Sequence, residues 1–131
     1  MRFISAKAHG FFDYIAGFII LNFSWALDIE GLGPAVYLPV SVGATIIILA
    51  LFTNFQLGSS RYISLNAHLL IDLAIGAFFA LSPWLFNYAD VSYIPHLVAG
   101  AAIFLVAALT NPETAKAVRI PKEPPEMPRG R

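Results

Sequence analysis

Two short stretches of the sequence place a histidine four residues before an aspartate, at the start of a long apolar run. KAHGFFDYIAG holds His9 and Asp13, and NAHLLIDLAIG holds His68 and Asp72. Residues four apart lie on one face of a helix, so each imidazole can contact the carboxylate of its own helix. Imidazole and carboxylate groups exchange protons, pair with each other and bind first-row metal ions. These four residues are the candidate intramembrane polar cluster.

The composition indicates a membrane protein around this cluster. Of the 131 residues, 58% are hydrophobic and only 12% are charged, whereas about a quarter of the residues in a soluble domain are charged. The absence of cysteine excludes disulfides, thiolate metal sites and cysteine nucleophiles. The sequence also lacks a Gly-rich phosphate loop, a zinc-protease motif and a catalytic-triad pattern, so we expect no enzymatic activity and no cofactor. The partner that we expect is the lipid bilayer and not a nucleic acid.

Four apolar stretches are predicted to be transmembrane helices. They cover about residues 8–27, 35–52, 67–86 and 94–109, close to the length of about 20 residues that spans a bilayer. The connections are short and rich in turn-forming residues, which predicts antiparallel hairpins. The fold class expected is therefore an all-α, polytopic membrane protein. All Lys and Arg residues fall in the N-terminus, the central connection and the tail, which predicts that both termini are cytoplasmic.

The second half of the chain repeats the first. Residues 2–25 align without a gap with residues 61–84, and the identical positions include the histidine, the aspartate and a later glycine. The second helices align as well, because GATIIILALFTN matches GAAIFLVAALTN. Two hairpins in the same orientation predict a pseudo-two-fold axis along the membrane normal.

The repeat also sets the predicted domain boundaries. A membrane domain covers residues 1–111, with repeat one at 2–54 and repeat two at 61–111. The Pro-rich segment 112–131 is predicted to be a cytoplasmic tail. It would begin with a short interfacial helix to about residue 118 and continue as extended or disordered chain.

A three-residue motif in the third helix resembles a known family. Ser82, Pro83 and Trp84 form the Ser-Pro-Trp sequence found in SPW-repeat proteins, which are small bacterial membrane proteins built from a two-helix repeat. The first repeat keeps only Trp25 in register. The resemblance implies a four-helix fold in the bacterial inner membrane, and it implies no activity or ligand. Pro83 removes a backbone donor and predicts a kink near the end of its helix.

Three further residues carry predictions about packing. Gly17 and Gly76 follow each aspartate by one turn and predict a close helix contact, either with the other repeat or with the adjoining helix. His96 has no counterpart in the first repeat and is predicted to lie at the membrane interface.

Several functions are compatible with the paired histidines and aspartates. The first is a polar clamp that fixes the helices of a structural or accessory subunit, in a homo-oligomer or a larger membrane assembly. The others are an ion or proton pathway, a metal or haem site, a proton-linked sensor, and acid–base chemistry on a lipid headgroup. The pathway is disfavoured because the residues between Asp72 and Ser82 are apolar.

Overall fold

The computed structural model describes residues 2–31, 33–60 and 62–115. Four main helices account for most of this length. In chain order the elements are β1 (Ile4–Ser5), α1 (Ala6–Leu21), α2 (Phe23–Ala26), α3 (Pro34–Phe52), α4 (Leu65–Leu85), α5 (Ala89–Ser92), α6 (Ile94–Leu109), β2 (Thr110–Asn111) and a 3-10 helix (Pro112–Ala115).

The four main helices pack in pairs that follow the sequence repeat. Helix α1 packs along α3, and α4 packs along α6, which confirms an all-α protein. Helices α3 and α4, with 19 and 21 residues, are long and apolar enough to cross a membrane, whereas α6 is apolar but shorter. Of the four predicted spans, two therefore have the full length of a span within a single helix.

The first predicted span is interrupted, and this corrects the continuous helix predicted over residues 8–27. Helix α1 ends at Leu21, and the separate turn of α2 follows Asn22. The Asn22 side chain donates to the Phe18 carbonyl at 2.7 Å, and its backbone N–H bonds to the Ile19 carbonyl three residues back. These local bonds compete with the regular helical pattern and end the helix.

Glycines allow the two helices of each hairpin to approach closely. Gly17 lies against the backbone of Gly43, and Gly76 lies against that of Gly100. A Cβ atom added at Gly100 would stand 2.4 Å from a backbone nitrogen of α4, and one added at Gly43 would stand 2.5 Å from a backbone nitrogen of α1. The sequence left open whether Gly17 and Gly76 contact the other repeat or the adjoining helix. In the structure, both contact the adjoining helix of their own repeat.

Two parallel backbone contacts join the repeats at one end of the bundle. Strand β1 pairs with β2 so that Ile4 is opposite Thr110. An isolated bridge joins Thr53 to Ile63 in the same parallel sense. Each contact becomes the other when the repeats are exchanged, because Ile63 follows Ile4 by 59 positions and Thr110 follows Thr53 by 57. We call this end, where α1 and α4 begin, the cluster end.

The Ser-Pro-Trp motif builds a hydrogen-bonded corner at the opposite end. Pro83 cannot donate to the Phe79 carbonyl, and the Ser82 hydroxyl donates to it instead at 2.8 Å. The Ser82 oxygen then accepts from the hydroxyl of Tyr88 at 2.5 Å. Helix α4 continues for two residues beyond Pro83, and the half-exposed Trp84 lies outside this corner.

His96 is buried, which corrects the interfacial position predicted for it. The side chain has no exposed surface. Its ring is enclosed by those of Phe23, Phe79 and Tyr88, with centroid distances of 6.1, 4.9 and 5.2 Å. The first turn of α6 directs His96 towards α4, so three aromatic rings cover it in place of water or headgroups.

The start of the predicted tail packs against the cluster end. The Thr114 hydroxyl accepts from the backbone N–H of Ala6 at 2.7 Å, and the Gln56 side chain donates to the Thr114 carbonyl at 3.2 Å. The segment predicted as an interfacial helix begins as the 3-10 helix. Its remainder and the predicted extended chain lie outside the described residues.

Candidate functional site

The two helices that carry the paired histidines and aspartates begin in the same way. Ser5 caps α1 and Ser64 caps α4, each through its side-chain oxygen, which accepts a backbone N–H three residues later. The histidine is the fourth residue of each helix and the aspartate is the eighth. Equal starting points therefore bring the four side chains to the same level of the bundle.

The four side chains meet at one point between the repeats. We call them the His–Asp cluster, which consists of His9, Asp13, His68 and Asp72. The Nε2 atoms of the two histidines are 3.2 Å apart. Nε2 of His68 lies 3.1 Å from Oδ2 of Asp13 and 2.8 Å from Oδ2 of Asp72. Nε2 of His9 lies 3.2 and 3.1 Å from the same two oxygens.

Both repeats contribute to every part of this contact network. Each imidazole reaches the carboxylate of its own helix and that of the other repeat. The ligand atoms that the four residues offer all lie within 4.8 Å of one another. The contact predicted within each helix is therefore present, and a contact across the repeats accompanies it.

The cluster is removed from water. All four residues are buried, with exposed fractions between 0 and 3%. Oδ1 of Asp72 has no hydrogen-bond partner among the residues that the structure describes. Among the described residues, the only lysine and arginine side chains are those of Lys7 and Arg2, and both are exposed. The two carboxylates therefore have no buried basic partner in the described part of the chain other than the histidines.

Two threonines form hydrogen bonds with the Nδ1 atoms of the histidines, on the side of each ring away from the cluster. The sequence reasoning missed both. The Thr53 hydroxyl lies 2.7 Å from Nδ1 of His68, and the Thr110 hydroxyl lies 3.0 Å from Nδ1 of His9. Both threonines are fully buried. A signal was available, because the aligned second helices of the repeats both end in Thr-Asn.

The connection between α3 and α4 closes the cluster end. The Phe55 ring lies so close to Gly10 that a Cβ atom there would overlap it, and its centroid is 6.3 Å from that of His68. The Tyr14 hydroxyl donates to the Leu57 carbonyl at 3.0 Å and ties this connection to α1. The cluster is therefore an enclosed site and not an open cleft.

Apolar side chains fill the bundle on the other side of the cluster. Packed together there are Ile20, Val42, Ile46, Phe79 and Ile103. A conduit across a membrane requires polar groups or water through its whole length. The side chains of this core are apolar, so the geometry argues against the pathway that the sequence already disfavoured.

A haem does not fit between the two histidines. An iron with two axial imidazoles needs nitrogen atoms about 4 Å apart, on opposite faces of the porphyrin, given metal–nitrogen bonds of about 2 Å. The Nε2 atoms are 3.2 Å apart, with the aspartate oxygens beside them. The space is too small for a macrocycle, and the four ligand atoms are close enough together to bind one small ion.

Comparisons with known proteins give one result. A family model described as SPW repeat domain matches residues 7–110. This range contains the whole His–Asp cluster, both supporting threonines and the Ser-Pro-Trp corner. No curated protein and no solved structure matches the chain.

Proposed function

The chain belongs to the SPW repeat family, and from this premise we propose that it is an integral membrane protein that binds one divalent metal ion between its repeats. The observation that carries the proposal is the convergence of two imidazole nitrogens and two carboxylate oxygens on one buried point. Nitrogen and oxygen donors of these types bind first-row divalent ions.

The charge of the cluster supports a divalent occupant. With neutral imidazoles, the two aspartates bring a charge of −2 into a site with almost no exposure. An uncompensated charge in a membrane interior is strongly unfavourable. One divalent cation cancels both carboxylate charges. The ion would also bind the Asp72 carboxylate, whose Oδ1 atom has no hydrogen-bond donor in the described part of the chain.

The position of the ion supports a structural role. Each repeat supplies one histidine and one aspartate, so the ion would bind the two hairpins equally and hold them together. Structural metal sites characteristically have four protein ligands and no open position. The clamp considered from the sequence then becomes a metal-bound clamp, in a structural or accessory membrane subunit that acts within a homo-oligomer or larger assembly.

The proposed location is the bacterial inner membrane, with four spans and both termini in the cytoplasm. The distribution of Lys and Arg supports this orientation. Single cysteines at the exposed positions Glu30 and Asp90 are expected to react with an impermeant thiol reagent added to intact cells. A cysteine at the exposed Ser59 is expected to react only after lysis. If only the Ser59→Cys variant is labelled in intact cells, the orientation is opposite to the one proposed.

Elemental analysis tests metal binding directly. The full-length protein, purified in detergent without chelators, is expected to contain about one divalent transition-metal ion per chain. Asp13→Asn and Asp72→Asn each remove one charged ligand and keep its shape, so both are expected to lose most of the bound metal. The two variants should be equally affected, because the repeats contribute equivalent ligands.

Asp90→Asn is the matched control, because Asp90 is exposed at the opposite end and should keep the metal content unchanged. A wild-type protein that contains no metal and takes up none when zinc, cobalt, iron or manganese is added would contradict the proposal. The cluster would then be a metal-free clamp held by shared protons. Metal retained at full stoichiometry by both aspartate variants would show that the ion is bound elsewhere.

A further inference from the structure

Resting on the proposed metal site, we infer that the ion is a tetrahedral, zinc-like cation bound through Nε2 of both histidines. We further infer that Thr53 and Thr110 are positioning residues, which direct these nitrogens to the ion. The hydrogen bonds on the far side of each imidazole ring carry this inference.

Each threonine hydroxyl has a single hydrogen, which it donates to a backbone carbonyl four residues earlier. The Thr53 hydroxyl donates to the Leu49 carbonyl at 2.6 Å, and the Thr110 hydroxyl donates to the Val106 carbonyl at 2.6 Å. The threonine oxygen can therefore only accept from the histidine nitrogen beside it. Nδ1 of each ring must then carry a hydrogen and donate it to the threonine.

This fixes the direction of each imidazole lone pair. When Nδ1 of a neutral imidazole carries the hydrogen, Nε2 is the basic nitrogen. Around Nε2 of His68 stand the oxygens of Asp13 and Asp72 and the Nε2 atom of His9. All of these are electron-rich acceptors facing one another, an arrangement that requires positive charge among them, from protons or from a metal ion.

Protons satisfy this arrangement less well than a metal ion does. Two protons, one on each Nε2, also neutralise the cluster, but they leave two like-charged N–H groups facing each other at 3.2 Å. A metal ion at the centre receives all four lone pairs at once. Hydrogen bonding of the other ring nitrogen is the usual second contact of a metal-bound histidine, because it fixes the tautomer and the ring orientation.

The distances select a small ion. Four ligands at the zinc bond lengths of about 2.0–2.1 Å form a tetrahedron with edges of about 3.3–3.4 Å. Five of the six edges of the cluster measure 2.8 to 3.2 Å, and the four ligand atoms, the two carboxylate oxygens included, lie within 4.8 Å of one another. Calcium bonds of about 2.3–2.6 Å require longer edges and six to eight oxygen ligands, and magnesium requires an octahedron of oxygens. Zinc and cobalt(II) suit this geometry and donor set.

The threonines also couple the site to the pairing of the repeats. Thr53 of repeat one supports His68 of repeat two, and Thr110 of repeat two supports His9 of repeat one. The same two threonines form the parallel backbone contacts at the cluster end. A histidine is thus presented to the ion only when the other hairpin is docked in register.

Threonine variants of the full-length protein test the inference. Thr53→Val and Thr110→Val keep the side-chain shape and remove the acceptor, so each is expected to weaken zinc binding by about 10- to 100-fold in competition with a chelator. Thr53→Ser restores the acceptor and should recover most of the affinity. Cobalt(II) bound to the wild-type protein should give the intense visible absorption of a tetrahedral complex.

Thr45→Val is the matched control. The Thr45 hydroxyl donates to the Ser41 carbonyl at 2.7 Å in the same helix, and it is exposed and remote from the histidines. Its loss should leave zinc affinity unchanged. If zinc binds but both buried valine variants bind it as tightly as the control, the positioning role is wrong while metal binding stands. If the wild-type protein binds no metal, the proposed function itself fails.

The wild-type protein provides a measurement that does not depend on any variant folding. The nitrogen-15 shifts of labelled His9 and His68 should report a protonated Nδ1 in both rings and a metal-bound Nε2 on zinc addition. Binding through Nδ1, or a cobalt(II) spectrum of an octahedral complex, would overturn the assignment.

Discussion

Removal of the bound ion with a chelator is expected to lower the midpoint of thermal unfolding in detergent by about 10 °C or more. An ion that binds only the folded protein stabilises it by about 4 kcal/mol at 1,000 times its dissociation constant. One kcal/mol shifts the midpoint of a chain of this size by about 3–5 °C. The effect should be large because the ligands come from both hairpins, so that loss of the ion also loosens their docking.

Scanning calorimetry or tryptophan fluorescence with and without chelator measures this shift. The double variant Asp13→Asn/Asp72→Asn provides the matched comparison, because it keeps the shape of the cluster and removes its negative charge. We expect its midpoint to be insensitive to chelator and to lie below that of the metal-bound wild-type protein. An equal chelator effect in both proteins would mean that the stabilising ion is not held by the aspartates.

The repeated His-Asp spacing made the composition of the site predictable from the sequence. An i, i+4 pair on a helix must share a face, and a gapless alignment must place equivalent residues at equivalent heights. The sequence named all four residues as one candidate cluster, but it could not provide the distances at which their side chains meet. Those distances depend on the docking of the two hairpins, which no local pattern encodes.

The supporting threonines show why part of the site escaped sequence reasoning. Thr53 and Thr110 end apolar helices and resemble ordinary terminal residues, whose hydroxyls usually bond to their own helix. They do form that bond, and their second contact joins them to histidines 15 and 101 positions away. The repeated Thr-Asn ending was visible, but its meaning depended on which helix lies opposite.

His96 and Asn22 illustrate the opposite failure, in which a local rule was overridden. A lone polar residue near a helix end suggested an interface, yet three aromatic rings packed over His96 and buried it. A long apolar run suggested one unbroken helix, yet the side chain of Asn22 bonds back to the preceding turn. In both cases contacts of single side chains outweighed the average character of the segment.

Acidification is expected to weaken metal binding by about 100-fold per pH unit over the range in which the metal-free cluster binds two protons, because each ion must displace both. The cluster carries a charge of −2 that must be cancelled in its buried position, either by one divalent ion or by two protons. Each ion that binds should therefore displace two protons. The sign follows directly, since a lower pH raises the concentration of the competitor and favours the metal-free form.

The number of displaced protons can be counted by calorimetric titration of zinc into the metal-free protein. Buffers of different ionisation enthalpy separate the heat of proton release from that of binding, and two protons per ion are expected. The Asp72→Asn variant carries one charge fewer and should release one proton for each ion that it still binds. A wild-type value near zero would mean that the empty cluster keeps its full negative charge, which the burial of all four residues makes unfavourable. Electroneutrality could then no longer explain why the same two charged pairs occur in both repeats.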